Sequence, residues 1–214
     1  MESLEDRRLL AGDTWEAVID GGGFGRIASD AASNAIVAKA IGDQFELTKF
    51  ATDGQERWNI DLPIIELNSQ QRGRVSALEI APSGDILVAG RYEGSVDFDL
   101  SAGQTILTAN GEDGFIASYS DNGSSLTLNW AHLVGDRVND IEVDSSGGAA
   151  AVGTFGSTLD YDAVQIATSN TGLTGSFLAN IAVDGSLLKA RQIEDSGVFY
   201  PVAVSVNGAG DLFV

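Results

Sequence analysis

Two pairs of aspartates, each separated by one aromatic residue, are the strongest candidates for chemistry in this sequence. Asp97 and Asp99 form one pair, and Asp160 and Asp162 form the other at the same relative position. Successive side chains of a strand point to opposite faces, so we expect both acids of a pair to share one face. Two such carboxylates can ligate Ca²⁺, which takes about 6 to 8 oxygen ligands. We therefore predict calcium binding at Asp97, Asp99, Asp160 and Asp162.

The same pattern also fits a half-buried strand that turns its acids to solvent and its aromatic side chain to the core. Both interpretations stay open at this stage. Four further polar residues, Asp53, Asp121, Asn122 and Asp184, are explained by turn chemistry alone. The glycines at Gly21–Gly23 and Gly25 superficially resemble a phosphate loop, but no lysine follows them.

Catalytic residues are scarce. His132 is the only histidine and lies inside an apolar strand pattern, where a structural role is the simpler interpretation. No Gly-x-Ser-x-Gly motif occurs, and no second histidine is available for a triad. A pair of glycosidase-type carboxylates would have to meet across different parts of the chain, and no spacing singles one out. We predict a protein that is not an enzyme and needs no organic cofactor.

The elements that carry these residues recur. RVSALEIAPSGDILVAG from Arg74 to Gly90 returns as RVNDIEVDSSGGAAAVG from Arg137 to Gly153, and as PVAVSVNGAGDLFV from Pro201 to Val214. Gly84, Gly147 and Gly210 are therefore spaced by 63 residues. A shorter first copy places Ser33 opposite Gly84 and Lys39 opposite Gly90. This is the pattern of a repeat protein.

Each complete unit is predicted to contain four short strands. In the second unit they are Val75–Ile80, Ile86–Ala89, Phe115–Tyr119 and Leu126–Leu133. Polar turns such as Asp53-Gly54 and Asp121-Asn122-Gly123 separate strands of this kind. The units cover about 14–63, 74–135, 136–197 and a truncated 198–214.

Four antiparallel strands per repeat predict an all-β fold, a β-propeller. The period exceeds the roughly 40 to 50 residues of common blades, and the excursion from Tyr92 to Glu112 accounts for the surplus. Propellers contain about 4 to 8 blades, whereas this chain supplies three and the start of a fourth, so we expect it to be part of a longer protein. A β-solenoid or an open β-array is the alternative fold.

The repeat also resembles a known family. An Asp-rich turn, an apolar strand ending in glycine, an Asp-Phe pair, a Phe-x-Ala-x-Tyr strand and an Asp-x-Gly turn together look like the bacterial seven-bladed β-propeller repeat. The matching segments are Asp144–Gly148, Gly90, Asp97-Phe98, Phe115–Tyr119 and Asp121–Gly123. The resemblance spans about Trp15 to Val214 and implies a ring of such blades in the whole protein.

The N-terminal segment, residues 1–13, resembles a second motif. Its ESLEDRRLLA run is similar to the N-terminal motif of planctomycete extracellular proteins, through Leu4, Glu5, Arg7, Leu9, Leu10 and Ala11. The resemblance implies export to the cell surface or beyond. In that family a basic leader usually precedes the motif, whereas only three residues precede it here.

Charge and composition limit the partners. A formal net charge of −19 repels phosphate backbones and anionic lipid surfaces, so we expect neither nucleic acid nor membrane-surface binding. The sequence has no run of about 18 apolar residues, so we expect no membrane insertion. No cysteine is present, which excludes disulfides and thiolate metal sites. The sequence predicts an exported, non-catalytic scaffold or binding platform for extracellular proteins or glycans. The alternatives are part of a propeller enzyme that acts on extracellular polysaccharide, and a calcium-dependent adhesion module.

Overall fold

The computed structural model of the chain describes residues 25–41, 44–62, 64–66, 73–162, 164–168, 174–193, 200–208 and 210–214. Within these ranges the chain consists of β-strands and their connecting turns and loops, without a helix. The predicted export motif at residues 1–13 and the glycine run at 21–23 lie outside the described residues. The strands are β1 (Gly25–Ser29), β2 (Ala35–Ile41), β3 (Gln44–Phe50), β4 (Glu56–Leu62), β5 (Ile64–Glu66), β6 (Arg74–Ile80), β7 (Ile86–Asp97), β8 (Ile106–Asp121), β9 (Leu126–Leu133), β10 (Arg137–Val143), β11 (Ala149–Phe155), β12 (Thr158–Tyr161), β13 (Val164–Thr168), β14 (Gly175–Ile181), β15 (Leu187–Gln192), β16 (Ser205–Val206) and β17 (Leu212–Phe213).

The strands build three antiparallel sheets, of which two have four strands and the second gains a fifth strand, β5. The first sheet is β1-β2-β3-β4, the second is β6-β7-β8-β9 and the third is β10-β11-β14-β15. Strand β5 pairs with the outer part of β7, and β12-β13 and β16-β17 form separate two-stranded pairs. The prediction of an all-β chain with four antiparallel strands per unit is confirmed.

Strand β7 shows how the sheets stack. Ile86 and Val88 pack into the core shared with the first sheet, whereas Leu87 and Ala89 pack into the core shared with the third sheet. Both faces of β7 are therefore buried, which explains why its sequence is an uninterrupted apolar run. At about 25 cal/mol for each square ångström of buried apolar surface, this double burial is a main stabilising contribution of the repeat.

The first strands of successive units lie next to one another. Strand β1 contacts β6, β6 contacts β10, and β10 contacts β16. The third sheet continues the stacking, because Ala150 and Val152 on its far face pack with Val204. The first, second and third sheets thus stack in chain order, and the segment with β16 and β17 covers the far face of the third sheet.

The excursion between Tyr92 and Glu112 is largely regular. Strands β7 and β8 extend beyond the sheet as a long hairpin, and their pairing runs out to Asp97 opposite Ile106. In the third unit the corresponding segment is the separate hairpin β12-β13, which joins the rest of the chain through a bridge between Val134 and Tyr161. The excursion therefore adds a two-stranded hairpin beyond the main sheet to both the second and the third unit.

The alignment of the degenerate first unit is supported by its backbone. Gly84, Gly147 and Gly210 have φ angles of 91°, 88° and 84°, in the left-handed region that glycine tolerates. Ser33, the residue aligned with them, has a φ of 63°. The first unit therefore makes the same turn without the glycine that relieves its strain.

The first strands of the second and third units each contain a β-bulge. The pairing of β6 with β7 shifts between Val75 and Ala77, and the pairing of β10 with β11 shifts at the equivalent place. The bulge brings the Arg74 carbonyl oxygen to 1.9 Å from where a side chain on Gly90 would begin. Strand β1 has no such shift, and there the position of Gly90 is taken by Lys39. The position of Gly90 thus requires glycine only where the facing first strand contains a bulge.

Candidate functional site

Asp97 stabilises the loop of the long hairpin. It is the last residue of β7 and is buried, and its Oδ1 accepts hydrogen bonds from the amides of Asp99 at 3.1 Å and Thr105 at 2.9 Å. The aromatic residue that follows, Phe98, is completely buried, as expected for its place in the pattern. The Asp97 carboxylate therefore closes the loop between β7 and β8.

Asp99 lies in that loop and not on a strand. Its Oδ1 accepts a hydrogen bond from the Ser101 amide at 2.9 Å, which holds the pKa of Asp99 below its ordinary value. The expectation that Asp97 and Asp99 share one strand face is therefore wrong, because β7 ends at Asp97. Both acids instead bind amides of the same loop.

Asp160 and Asp162 are separated in the same way. Asp160 belongs to β12 and accepts a hydrogen bond from the Thr158 hydroxyl at 2.9 Å. Asp162 is a turn residue with a φ of 49°, so this pair does not share a strand face either. Its carboxylate pairs with Nδ1 of His132 and accepts a bond from the Leu133 amide at 3.1 Å.

These contacts bear on the predicted calcium binding. In the part of the chain that the structure describes, no group of three or more acidic or histidine side chains is arranged to hold a metal ion. Asp97 and Asp162 direct carboxylate oxygens to backbone amides, which are ligands of an anion and not of a cation. Calcium binding at these four aspartates remains a prediction.

His132 sits between aromatic rings. Its ring centroid lies 5.4 Å from that of Trp130 and 4.9 Å from that of Tyr161. Nδ1 is oriented by Asp162, whereas Nε2 is buried near Gly185. This is the arrangement of a packed histidine that joins β9 to the β12-β13 hairpin, and Nε2 does not face solvent.

The turn acids behave as turn chemistry predicts. Oδ1 of Asp53, Asp121 and Asp184 each accepts a hydrogen bond from the amide two residues later, at 3.0, 2.8 and 2.9 Å. Asp121 has an additional role that the sequence did not reveal. It also binds Lys49 Nζ at 2.7 Å and Trp58 Nε1 at 3.2 Å, and both of these residues belong to the first sheet.

Tryptophans connect neighbouring sheets. Trp58, on the last strand of the first sheet, donates its indole N–H to Asp121, the last residue of β8 in the second sheet, where the turn to β9 begins. Trp130, on the last strand of the second sheet, donates to the carbonyl oxygen of Val183 at 2.8 Å, in the β14–β15 turn of the third sheet. We call these two bonds the tryptophan clasps. They fasten the last strand of one sheet to the end of the third strand, or the turn that follows it, in the next sheet.

A second set of bonds connects the first strands. Arg26 Nε donates to the carbonyl oxygen of Ser76, and the Ser76 hydroxyl donates to the carbonyl oxygen of Val138. Asn139 Nδ2 then donates to the carbonyl oxygen of Pro201 at 2.8 Å. Ser76 and Asn139 are the extra residues of the two bulges. Each bulge thus directs a polar side chain toward the next unit, and these three bonds are called the lateral bonds below.

The residues that make the lateral bonds line a pocket of about 250 Å³. Four arginines line this pocket, which is called the arginine pocket below: Arg26, Arg74, Arg91 and Arg137. The bulge residues Ser76 and Asn139 and the segment Tyr200–Val202 complete the lining. Sequence analysis did not single out these arginines, although Arg74, Arg137 and Tyr200 occupy equivalent positions of the 63-residue register.

Acidic side chains near the arginine pocket offset part of its positive charge: Asp140 lies near Arg26 and Asp136 near Arg137. Glu112 accepts a hydrogen bond from Arg91 Nη1 at 3.0 Å and also pairs with Arg137 Nε. One carboxylate is therefore shared by two guanidinium groups. None of the described residues that line the pocket is acidic. In a chain with twelve basic residues and a net charge of −19, a third of the positive charge converges here.

A second pocket, of about 410 Å³, has the opposite charge. Asp113, Asp136 and Asp160 line it, together with residues of the long hairpin and of the β11–β12 turn. Burial raises the pKa of Asp113 and of Asp136, and the neighbouring charge of Asp160 adds to the rise for Asp113. Asp160, one of the four aspartates for which calcium binding is predicted, therefore lines this second pocket.

Sequence comparison does not extend these observations. No family model matches the chain, and no curated protein is significantly similar to it. Over the ranges described above, the chain has no helix of the length and apolarity that crossing a membrane requires.

Proposed function

We propose that the chain is a non-catalytic β-propeller repeat module of an exported protein, and that it serves as a rigid binding platform for extracellular proteins or glycans. The observation that carries the proposal is the order of the first strands. Strands β1, β6, β10 and β16 contact one another in chain order. The lateral bonds connect β1 to β6, β6 to β10, and β10 to Pro201, which precedes β16. Repetition of four-stranded sheets around a central channel is characteristic of propellers, and the adjacency of the first strands supports such an arrangement.

The proposed rigidity rests on two sets of hydrogen bonds, one at each edge of the sheets. The lateral bonds connect the first strands, and the tryptophan clasps connect the last strands to the next sheet. Apolar cores between the sheets occupy the space in between. A scaffold held at both edges keeps its surface residues in fixed positions, which lowers the entropy cost of binding a ligand.

A binding experiment with extracellular glycans and proteins tests the proposal. We expect the immobilised 214-residue chain to bind at least one class of these ligands saturably in biolayer interferometry, and to release it chemically unchanged. Mass spectrometry of the recovered ligand provides the second readout. Absence of binding by a folded chain contradicts the proposed platform.

Export is tested separately, because it depends on residues 1–13. We expect a reporter fused behind the complete N-terminal region to appear at the cell surface or in the medium of a planctomycete host. Replacement of Leu9 and Leu10 by aspartate should keep the reporter inside the cell. Equal export of both versions would remove the support for an extracellular location.

A glycan-cleaving enzyme is the second candidate, and the acidic pocket favours it. Burial raises the pKa of Asp113 and Asp136, which is the direction of change that a general acid requires. This candidate predicts new reducing ends when the chain is incubated with acidic or neutral polysaccharides. Their formation, and its loss in Asp136→Asn, would replace the non-catalytic proposal.

A further inference from the structure

We infer that the arginine pocket binds an anionic glycan, a polysaccharide that carries carboxylate or sulfate groups. The inference rests on the proposed binding function and specifies its ligand class and its location. The first observation is the set of four arginines that line the pocket. Three of them lie on first strands, β1, β6 and β10, and Arg91 lies on the second strand β7. Arginine presents a planar fork of donors that fits carboxylate and sulfate oxygens two at a time.

The charge balance of the pocket favours an external anion. Four guanidinium groups line one pocket, whereas the nearby acids Glu112, Asp136 and Asp140 lie outside its lining. Like charges at close range repel one another, and partial burial strengthens the repulsion. An anion bound among them removes this repulsion. We therefore expect a ligand of matching charge to stabilise the folded chain.

The orientation of the guanidinium groups is built into the first strands. Arg26 uses Nε for the Ser76 carbonyl oxygen and Nη1 for the Gly25 carbonyl oxygen at 3.2 Å, so two of its three nitrogens are already held in place. The bulges of β6 and β10 place Ser76 and Asn139 in the same pocket. A pocket prepared in this way loses little side-chain entropy when a ligand binds.

Tyr200 favours a glycan over a simple anion or an acidic peptide. Its side chain is 58% exposed, and it stands beside Pro201 at the edge of the arginine pocket. In the 63-residue register it replaces the arginine of the two preceding units. An exposed tyrosine ring offers an apolar face with a polar tip, which suits the apolar face and the hydroxyl groups of a sugar ring.

Four polymers of known charge test the inference by biolayer interferometry at 0.15 M salt. The probes are polygalacturonate, dextran sulfate, uncharged dextran and poly-glutamate. We expect polygalacturonate or dextran sulfate to bind and to raise the thermal midpoint, and uncharged dextran to do neither. Comparison of the carboxylated with the sulfated polymer identifies which anionic group the pocket takes. Poly-glutamate that binds as tightly as either glycan would overturn the assignment in favour of an acidic protein partner.

Arg137→Gln and Arg57→Gln form the matched pair of variants. Both remove one positive charge, but Arg57 lies on β4 outside the pocket. The Arg137 side chain is 48% exposed, so its replacement leaves the core intact. We expect Arg137→Gln to weaken glycan binding about tenfold, as is usual for the loss of a charge-assisted hydrogen bond. Equal weakening by Arg57→Gln would show that the pocket is not the site.

A change at Tyr200 separates sugar recognition from charge attraction. We expect Tyr200→Ala to weaken binding of the anionic glycan, and Tyr200→Phe to retain most of it, because the ring is kept. If no glycan binds although circular dichroism shows a folded chain, the inference is wrong. Binding of another extracellular ligand that is unaffected by Arg137→Gln would leave the proposed platform standing and remove only this site.

Discussion

Gly90 is the position at which a single added carbon should cost the most stability. A methyl group there would lie 1.9 Å from the Arg74 carbonyl oxygen and 3.0 Å from Cε1 of Phe115. Non-bonded carbon atoms at optimal separation are about 3.5 to 4.0 Å apart, so the neighbouring carbonyl group has to move by more than about 1 Å. That carbonyl belongs to the bulged part of β6, and its displacement disturbs the pairing of β6 with β7.

We expect Gly90→Ala to lower the free energy of unfolding by about 3 kcal/mol or more, at the upper end of what overpacking costs. Gly84→Ala is the matched control. Gly84 has a φ of 91° but no atom within 4 Å of an added methyl group, so only the backbone strain of about 1 to 2 kcal/mol applies. Lys39 shows that a side chain is tolerated at the equivalent position of the first sheet, where it is buried and pairs with Glu46 at 2.9 Å.

Urea denaturation followed by far-ultraviolet circular dichroism and by tryptophan fluorescence measures these differences. A change of the midpoint at constant slope reports stability alone. If Gly90→Ala costs no more than Gly84→Ala, the bulge does not press on β7 and the structural explanation of the repeat glycine is wrong.

Four further results are expected. Ser33→Gly should stabilise the chain by about 0.5 to 1 kcal/mol in urea, because glycine adopts the left-handed turn without strain. Burial, with the charges of Glu142 and Asp140, raises the pKa of Glu79 from 4.5 to about 7. The contribution of Glu79 to stability is therefore full below about pH 4.5 and is lost as the pH rises through about 7. Glu79→Gln should remove this pH dependence and stabilise the chain by about 2 kcal/mol at about pH 8, and an unchanged urea midpoint there would contradict the expectation. Trp130→Phe should cost about 1 kcal/mol beyond its packing change through the lost clasp. The calcium prediction requires a higher thermal midpoint in millimolar Ca²⁺, and a midpoint that chelator leaves unchanged rejects it.

Most strands of the sheets could be predicted from the repeated sequence pattern. The predicted strand Leu126–Leu133 coincides with β9, and Val75–Ile80 differs from β6 by one residue. These predictions succeeded because burial on alternate faces leaves a period of two in the sequence, and because three copies of the unit reinforce the same pattern.

The long hairpin was less accessible. We predicted β7 to end at Ala89, but it continues to Asp97 through Glu93 and Gly94, residues with low β-propensity. Their strand conformation depends on pairing with the partner strand β8 and not on local sequence. The placement of Asp99 and Asp162 outside strands has the same origin, since the end of a ribbon is set by where the pairing stops.

The arginine pocket could not be predicted from the usual signals. Arg26, Arg74 and Arg137 are far apart in sequence, and each one alone resembles an ordinary surface residue. Only the stacking of the units brings them together. The available signal was the equivalence of Arg74 and Arg137 in the register, which matters once the first strands are known to be adjacent.

The tryptophan clasps have a consequence for the way in which the chain opens. Each clasp fastens the last strand of one sheet to the end of the third strand, or the turn that follows it, in the next sheet, so the second sheet takes part in two clasps and the first and third sheets in one each. Local opening of the second sheet must break both, whereas the first sheet can open after breaking one. In native-state hydrogen exchange, we therefore expect the backbone amides of β7 and β8 to be the slowest of the chain.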